Sequence, residues 1–256
     1  MSKQRLETER KFHDYRFADD DNIRSNIKKY YVINKIALEK YYDIISANCK
    51  DKKLLEYGCG TGDNIEIFQK LNVHLTGIDI SEEGINRANI KSNAKKIDAD
   101  FFVMDAENTD FQDNSFDLIV GRGIIHHLNL KNIYSETARI LNTNGHAVFM
   151  EPLGHNPIIN LYRKLTPNIR TPDEHPLMKR DLKLLKDYFH NVNLEYFSLL
   201  TLLTVPFRNL FIFKPLFRIL YIIDKLILKV PFIREWAWIV VIHIHKPKKE
   251  SDKQYG

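Results

Sequence analysis

The stretch Leu54–Asn64, read as L-L-E-Y-G-C-G-T-G-D-N, decides the fold class of this 256-residue chain. Its apolar residues lead directly into glycines at alternate positions, Gly58, Gly60 and Gly62. A buried strand that ends in a glycine-rich turn and continues into a helix is a cradle for a small molecule, because the ligand can lie against bare backbone. The spacing of the glycines then indicates which ligand the turn takes.

Two cofactors compete for this turn. In the dinucleotide-binding pattern G-x-G-x-x-G, counted from Gly58, the third glycine would fall at position 63, which is Asp63. Here that glycine comes one residue early, which gives E-x-G-x-G-x-G from Glu56 to Gly62. This pattern resembles the first motif of the class I S-adenosylmethionine (SAM)-dependent methyltransferases. SAM carries a sulfonium and an ammonium group and no phosphate, so acids beside the turn suit it, and an NAD-dependent oxidoreductase is the alternative.

Acidic residues at the ends of two further predicted strands extend the resemblance. Val73–Ile80 predicts a second strand that ends at Asp79, 21 residues after the first glycine, where an acid holds a ribose hydroxyl pair. Asp98–Ala106 predicts a third strand that ends in Asp105, and the family places an acid here against the adenine amino group. The resemblance thus implies a cofactor site made of Glu56, Gly58, Gly60, Gly62, Asn64, Asp79, Ile80, Asp105, Ala106, Arg122 and Tyr31.

The alternation of strands and helices predicts an α/β fold. Phe116–Val120 and His146–Pro152 predict the fourth and fifth strands, the latter after a turn at Asn142–Gly145, and such alternation implies a parallel sheet with helices on both faces. The resemblance implies the Rossmann-like seven-stranded methyltransferase sheet, in which the last two strands, Leu194–Thr201 and Trp238–Ile244, form an antiparallel hairpin. We expect the methyltransferase domain to span residues 53–246, between an N-terminal segment (1–52) and a polar tail (247–256).

The N-terminal segment is expected to be a helical lid. Glu7–Tyr15 and Asn22–Ile45 predict helices. In related methyltransferases such a segment folds over the cofactor, which excludes water and fixes the attacking atom. We expect His13 to contact the substrate and Tyr31 to contact the cofactor, with plain packing against the sheet as the alternative. For Tyr41 and its neighbour Tyr42, packing is the favoured interpretation.

The candidate catalytic residues follow the fourth strand, in the segment Gly121–Leu130 (G-R-G-I-I-H-H-L-N-L). A hydroxyl loses its proton as it attacks the methyl group, which calls for a base that titrates near neutral pH, and histidine suits that task. His127 is the candidate general base, and His126 is the second candidate. The alternative is that one histidine contacts the methionine part of SAM or caps a helix while the other packs.

The end of the fifth strand supplies the candidate acceptor site. Glu151 and His155 are predicted to form the polar end of an acceptor pocket, and the competing interpretation is that Glu151 caps the helix after Pro157. The long irregular stretch Leu165–Pro176 is expected to lie over this pocket. We expect methylation of a hydroxyl on a small or lipid-linked acceptor. The alternatives are N- or C-methylation and a catalytically silent SAM-binding or membrane-associated scaffold.

A hydrophobic, basic insertion of about residues 202–237 separates the last two predicted strands, where a short turn would suffice. Lys214, Arg218, Lys225 and Lys229 fall within about 60° on a helical wheel, and nearly all their neighbours are apolar. This pattern is typical of an interfacial helix, so we expect peripheral contact with an anionic membrane through residues 207–229. The alternatives are burial against the domain or a partner subunit, and a pocket for a lipid-like acceptor.

The composition and net charge restrict the expected partners and location of the protein. The net charge of +5 is spread along the chain, so a nucleic-acid partner is not predicted. No zinc-ligand spacing occurs, and we predict no metal site. With two cysteines and a polar Met1–Lys11 in place of a signal sequence, we expect a cytoplasmic protein, peripheral on the inner face of the membrane if the insertion binds it. Both a monomer and a homodimer are compatible with the sequence.

Overall fold

A computed structural model describes residues 3–18, 20–166 and 175–249, in which one seven-stranded sheet forms the centre. The strands are β1 (Lys53–Tyr57), β2 (His74–Asp79), β3 (Ala99–Val103), β4 (Phe116–Arg122), β5 (Leu141–Pro152), β6 (Phe189–Phe197) and β7 (Ile239–Pro247). They lie in the order β3-β2-β1-β4-β5-β7-β6. Strands β1 to β5 pair in parallel, and β7 is antiparallel to both of its neighbours. The predicted fold class and the terminal antiparallel hairpin are confirmed.

Helices cover both faces of the sheet. They are α1 (Lys3–Ala18), α2 (Asp20–Asn48), α3 (Ile65–Gln69), α4 (Glu82–Lys95), α5 (Leu130–Ile140), α6 (Pro157–Leu165), α7 (Lys179–Tyr188) and α8 (Phe213–Ile227). Successive strand residues point to opposite faces. Leu55 accordingly joins a core cluster with Tyr134 of α5 and Leu185 of α7, whereas Leu54 joins a second cluster with Tyr41 of α2. Both faces of the sheet are therefore closed by apolar packing.

The strand order indicates which edge of the sheet can bind a ligand. The chain runs from β1 outward to β2 and β3, and then returns to β4 on the other side of β1. The carboxyl ends of β1, β2 and β4 meet at this reversal, which is where open parallel sheets bind their ligands. The glycine turn that follows β1 lies at this edge.

The structure corrects several predicted strand boundaries: β3 ends at Val103, before Asp105, and β6 begins at Phe189 instead of Leu194. The predicted turn Asn142–Gly145 lies within β5, and the β4–β5 ladder absorbs these residues through a register shift between Phe116 and Leu118. Strand β6 ends at Phe197 instead of Thr201, because Ser198 adopts a left-handed backbone with φ of 65°. The apolar residues beyond it form a 3₁₀ helix, Leu200–Phe207.

The insertion folds around a buried carboxylate. It contains the 3₁₀ helix Leu200–Phe207, helix α8 and a short 3₁₀ turn, Arg234–Trp236. Asp224 of α8 accepts hydrogen bonds at 2.7–3.1 Å from the backbone N–H groups of Leu199, Leu200 and Thr201, and a fourth from the Thr201 hydroxyl at 2.9 Å. These bonds satisfy the start of the 3₁₀ helix and fasten it to α8.

Candidate active site

The glycine turn adopts a left-handed backbone that side chains rarely tolerate. Gly58, Gly60 and Gly62 have φ values of 64°, 51° and 70°. A Cβ at Gly62 would overlap the Ile65 side chain, so a substitution there meets both backbone strain and a packed neighbour. The turn therefore brings bare backbone to the carboxyl edge of the sheet, as its sequence predicts.

Asp79 fastens the end of β2 to this turn. Its carboxylate accepts a hydrogen bond from the Gly60 N–H at 2.9 Å and another from the Ser81 N–H at 2.9 Å. Burial raises the pKa of Asp79, and these two hydrogen bonds oppose that rise. A carboxylate has about four acceptor positions, so Asp79 retains the capacity to accept hydroxyl groups.

Glu56 is a buried acid with an unsatisfied oxygen. The Asn64 amide donates to its Oε1, and the Tyr42 hydroxyl in turn donates to the Asn64 side-chain oxygen at 2.8 Å. Within the described residues, the other oxygen of Glu56, Oε2, has no hydrogen-bond partner. Burial raises the pKa of Glu56 to about 7, although the Asn64 hydrogen bond and the charge of Arg122 oppose the rise. An orphan carboxylate oxygen of this kind is suited to a cationic ligand.

The remaining predicted cofactor residues lie along the same edge. Asp105 follows β3, and its carboxylate accepts from the Glu107 N–H at 2.9 Å, while Ala106 beside it is buried. The Ile80 carbonyl accepts from the Arg10 side chain at 3.1 Å. Arg122 ends β4 and is exposed. The side chain of Tyr31, the last residue assigned to the cofactor, lies outside the described residues.

Helix α1 lies over the glycine turn. Phe17 packs so closely on it that a Cβ at Gly60 would lie 3.0 Å from the ring. Asp14 accepts from the Ser81 hydroxyl and from the Glu83 N–H at 3.4 Å, which joins the lid to the start of α4. Glu9, on the same helix, is buried, and neither of its carboxylate oxygens has a hydrogen bond within the described residues. Helix α1 thus contacts both the glycine turn and the start of α4.

The turn after β4 is held by Glu151. One Glu151 oxygen accepts from the backbone N–H groups of Ile124 and Ile125, each at 3.0 Å, and the other lies 2.7 Å from Nδ1 of His126. The ring of His127 lies 4.1 Å from that of His126 and 6.1 Å from that of His13, measured between centroids. The His127 ring therefore lies beside that of His126, after β4, and near that of His13 on α1.

The prediction that Glu151 and His155 together form the polar end of one pocket is wrong. Glu151 is fully buried and holds the His126 turn, whereas His155 accepts from the Lys179 N–H at 3.3 Å and lines a separate cavity. The competing interpretation, that Glu151 caps the helix after Pro157, is also wrong, because the Asn156 side chain does so through the Ile159 N–H at 3.0 Å. Most of the expected cover over the pocket, residues 167–174, lies outside the described residues.

Two contacts at the glycine turn are not predicted by the sequence. Phe17 falls outside the predicted helix Glu7–Tyr15, but its place four residues after His13 on a helix puts both on one face. Tyr42 was interpreted as packing, yet its hydroxyl fixes Asn64 and, through it, Glu56. No local pattern distinguishes such a hydroxyl from the fully buried neighbour Tyr41.

Comparison with known proteins agrees with this geometry. Residues 55–149 match the family model described as "Methyltransferase domain". An uncharacterized protein of Methanocaldococcus jannaschii is 30% identical over 138 residues, which are 49% of this chain and 51% of that protein. A ubiquinone biosynthesis O-methyltransferase of Bartonella tribocorum is 28% identical over 117 residues, or 45% and 47% of the two chains. The chain thus spans about half the length of these relatives.

A solved structure shares the fold over most of the chain. The geranyl diphosphate C-methyltransferase of Streptomyces coelicolor A3(2) superposes with a TM-score of 0.59 at 14% identity, covering 83% of this chain and 80% of that one. The sheet therefore has the fold of this methyltransferase, and residues 55–149 match the methyltransferase-domain model. The named relatives methylate different atoms, one oxygen and one carbon, by their names.

Proposed function

We propose that this chain, which carries a class I methyltransferase domain, transfers a methyl group from SAM to a hydroxyl of a small or lipid-linked acceptor. The observation that supports the cofactor is the orphan oxygen of Glu56, a buried acid beside the glycine turn. Asp79 is a second, partly buried acid whose pKa is raised by desolvation. A dinucleotide would bring a diphosphate to these two acids, whereas SAM brings cationic groups that they attract.

In this proposal, different residues at the carboxyl edge of the sheet bind different parts of the cofactor. Asp79 holds the ribose hydroxyls, Asp105 and the Ala106 N–H meet the adenine, and Glu56 faces the cationic methionine part. SAM supplies a methyl group on a sulfonium that is already a good leaving group. The task left to the protein is to place the acceptor, to remove its proton and to exclude water.

His127 is the proposed base for that proton. Glu151 fixes the turn that carries it, through the backbone N–H groups of Ile124 and Ile125 and through His126. Helix α1 brings the His13 ring to 6.1 Å from the His127 ring, measured between centroids. In this proposal α1 also covers the glycine turn and keeps water from the reacting atoms.

The test combines binding with turnover. Calorimetry with SAM and with NAD should show binding of SAM alone, and labelled SAM in a cell extract should label a small or lipid-linked product. We expect His127→Gln to lower the methylation rate about 10²-fold or more with unchanged SAM affinity. An unchanged rate in His127→Gln would favour N- or C-methylation, and SAM binding without any product would favour a silent scaffold. Binding of NAD instead of SAM would overturn the proposal.

A second proposal concerns helix α8 and the membrane. The exposed half of α8 divides into two adjacent strips, one with the cations Lys214, Arg218 and Lys225, the other with Ile219, Ile222, Ile223 and Leu226. Phe211, just before the helix, is 93% exposed. We propose that this surface lies in the headgroup region of an anionic membrane. Within the described residues, no helix is long and apolar enough to cross a membrane.

Vesicle flotation tests the membrane contact. We expect binding to vesicles with phosphatidylglycerol, weaker binding at high salt, and little binding to purely zwitterionic vesicles. Phe211→Ser should weaken it, and Ile90→Ser, which removes an exposed apolar side chain from α4, should not. Equal flotation of the two variants, or none of the parent protein at low salt, would contradict the membrane contact.

A further inference from the structure

A second concave site lies outside the active site. A cavity of about 260 Å³ opens between helix α7, strand β6 and the 3₁₀ turn Arg234–Trp236. None of its lining residues belongs to the glycine turn or to the lid. Lys179, Lys183 and Lys186 line it from α7, because residues spaced by four and by three share one face of a helix. The wall is therefore strongly cationic.

The charges of this cavity are not balanced by its own residues. Glu235 is the one carboxylate in its lining, and it pairs with the Lys179 ammonium. Within the described residues, no carboxylate forms an ion pair with Lys183, Lys186 or Arg234. The cavity thus presents three cations that form no ion pair with an acid in the described part of the chain.

Arg234 is the most informative of these cations. Its guanidinium carbon lies 5.2 Å from the centroid of the Tyr196 ring, so the guanidinium makes a cation–π contact with that ring. Its Nε is buried and has no hydrogen-bond partner within the described residues. A buried N–H donor is rarely left unsatisfied, because it has given up its water. The donor therefore indicates an acceptor that the protein itself does not supply.

We propose that this cavity is a binding site for a phosphate group. A rigid guanidinium with a free Nε–H matches the oxygens of a phosphate, and the two free lysines add the charge. The phosphate has two possible sources, a free phosphate or pyrophosphate ion and the headgroup of an amphiphile. Trp236 and Phe232, which are 57% and 71% exposed, flank the turn that carries Arg234 and give an amphiphile's chain an apolar surface.

Binding to the full chain without SAM tests this site independently of methyl transfer. The probes for calorimetry are inorganic phosphate, inorganic pyrophosphate and soluble dihexanoyl phosphatidic acid, at low ionic strength. We expect at least one of them to bind. Tighter binding of the ions identifies a free phosphate, and about tenfold tighter binding of the short lipid identifies a headgroup. If none of the three binds, the proposal is overturned, while the proposed methyl transfer is unaffected.

Variants locate the bound probe. Arg234→Gln and Lys183→Gln should each weaken binding about tenfold or more, and Lys70→Gln, an exposed lysine outside the cavity, should leave it unchanged. Because a folding defect also weakens binding, Glu235→Gln is the decisive variant. It removes the one acid of the lining, so binding should tighten several-fold. Unchanged binding in both Lys183→Gln and Glu235→Gln would place the probe elsewhere and contradict the site.

Discussion

Two buried carboxylates, Asp224 in the insertion and Glu56 beside the glycine turn, are equally hidden from water but differ in their hydrogen bonds. Asp224 is 2% exposed and accepts from three backbone N–H groups and a hydroxyl. Glu56 is 4% exposed and leaves one oxygen without a partner in the described part of the chain. A buried carboxylate whose oxygens are all hydrogen-bonded stabilises the fold, whereas one with an unpaired oxygen is suited to bind a ligand. Burial alone therefore does not separate structure from function.

The largest effect is expected from Asp224→Ala. The substitution leaves the N–H groups of Leu199, Leu200 and Thr201 without an acceptor, so we expect a loss of about 3 kcal/mol in the free energy of unfolding. Urea denaturation measures it, and SAM affinity should stay unchanged below the transition. A stability loss no larger than that of an exposed control such as Asp113→Ala would show that the hydrogen bonds of Asp224 do not stabilise the fold.

Glu56→Gln should give the opposite result. The amide keeps the acceptor for Asn64 but removes a buried charge, so the free energy of unfolding at pH 8 should not fall. SAM loses its charged partner, and we expect its affinity to drop by about 1.5–3 kcal/mol, or roughly ten- to hundredfold. Calorimetry and urea denaturation on one preparation separate the two effects. A destabilised variant with normal SAM affinity would remove the distinction between the two carboxylates.

The comparison also explains which structural features can be predicted from the sequence. The glycine spacing, the acids that end β2 and follow β3, and the alternation of strands and helices are local patterns, and the five parallel strands follow from them, whereas the complete seven-stranded sheet was implied by the family resemblance. The strip of cations on α8 is likewise a periodic pattern, and the structure leaves it exposed. Features that depend on residues close in sequence are predictable, because the side-chain periodicity of a helix or strand alone places those residues.

Contacts between distant segments were not predictable. Glu151 meets His126 and not His155, because the turn after β4 presents its N–H groups to the end of the neighbouring strand β5. Nothing in either segment marks the pairing. The role of Tyr42 in fixing Asn64 and the end of β6 at Ser198 likewise depend on packing that a single strand or helix does not encode.

A smaller effect is the pH dependence of SAM binding. Because the pKa of Glu56 is about 7 in the free protein, its carboxyl is largely protonated below pH 7 and offers no charge to the cofactor. SAM affinity should therefore rise as pH rises from 5.5 to 7.5, with a slope approaching tenfold per unit at the acidic end. Calorimetry across this range measures it, and Glu56→Gln should flatten the curve. A wild-type curve as flat as that of the variant would show that Glu56 does not face the cationic part of SAM.

The smallest effect concerns the histidine cluster on β5 and β7, which responds to pH with the opposite sign. His243 lies with a ring nitrogen 2.9 Å from His146, and burial, then the neighbouring histidines, lowers its pKa to about 4. A depressed pKa withdraws stability as pH falls from 6.5 to 4, whereas the raised pKa of Glu56 withdraws stability as pH rises from 4.5 to 7. Since His243 is only half-buried, we expect about 1 kcal/mol from it after solvent screening.

Urea denaturation at pH 6.5 and pH 4.5 separates these two contributions. His243→Gln should lose less stability on acidification than the parent protein, and His74→Gln, an exposed histidine at the start of β2, should behave like the parent. Glu56→Gln should lose more on acidification, because it no longer gains from protonating a buried acid. If His243→Gln and the parent protein lost equal stability on acidification, protonation of the histidine cluster would not destabilise the fold. The instability at acidic pH would then have to arise elsewhere in the sheet.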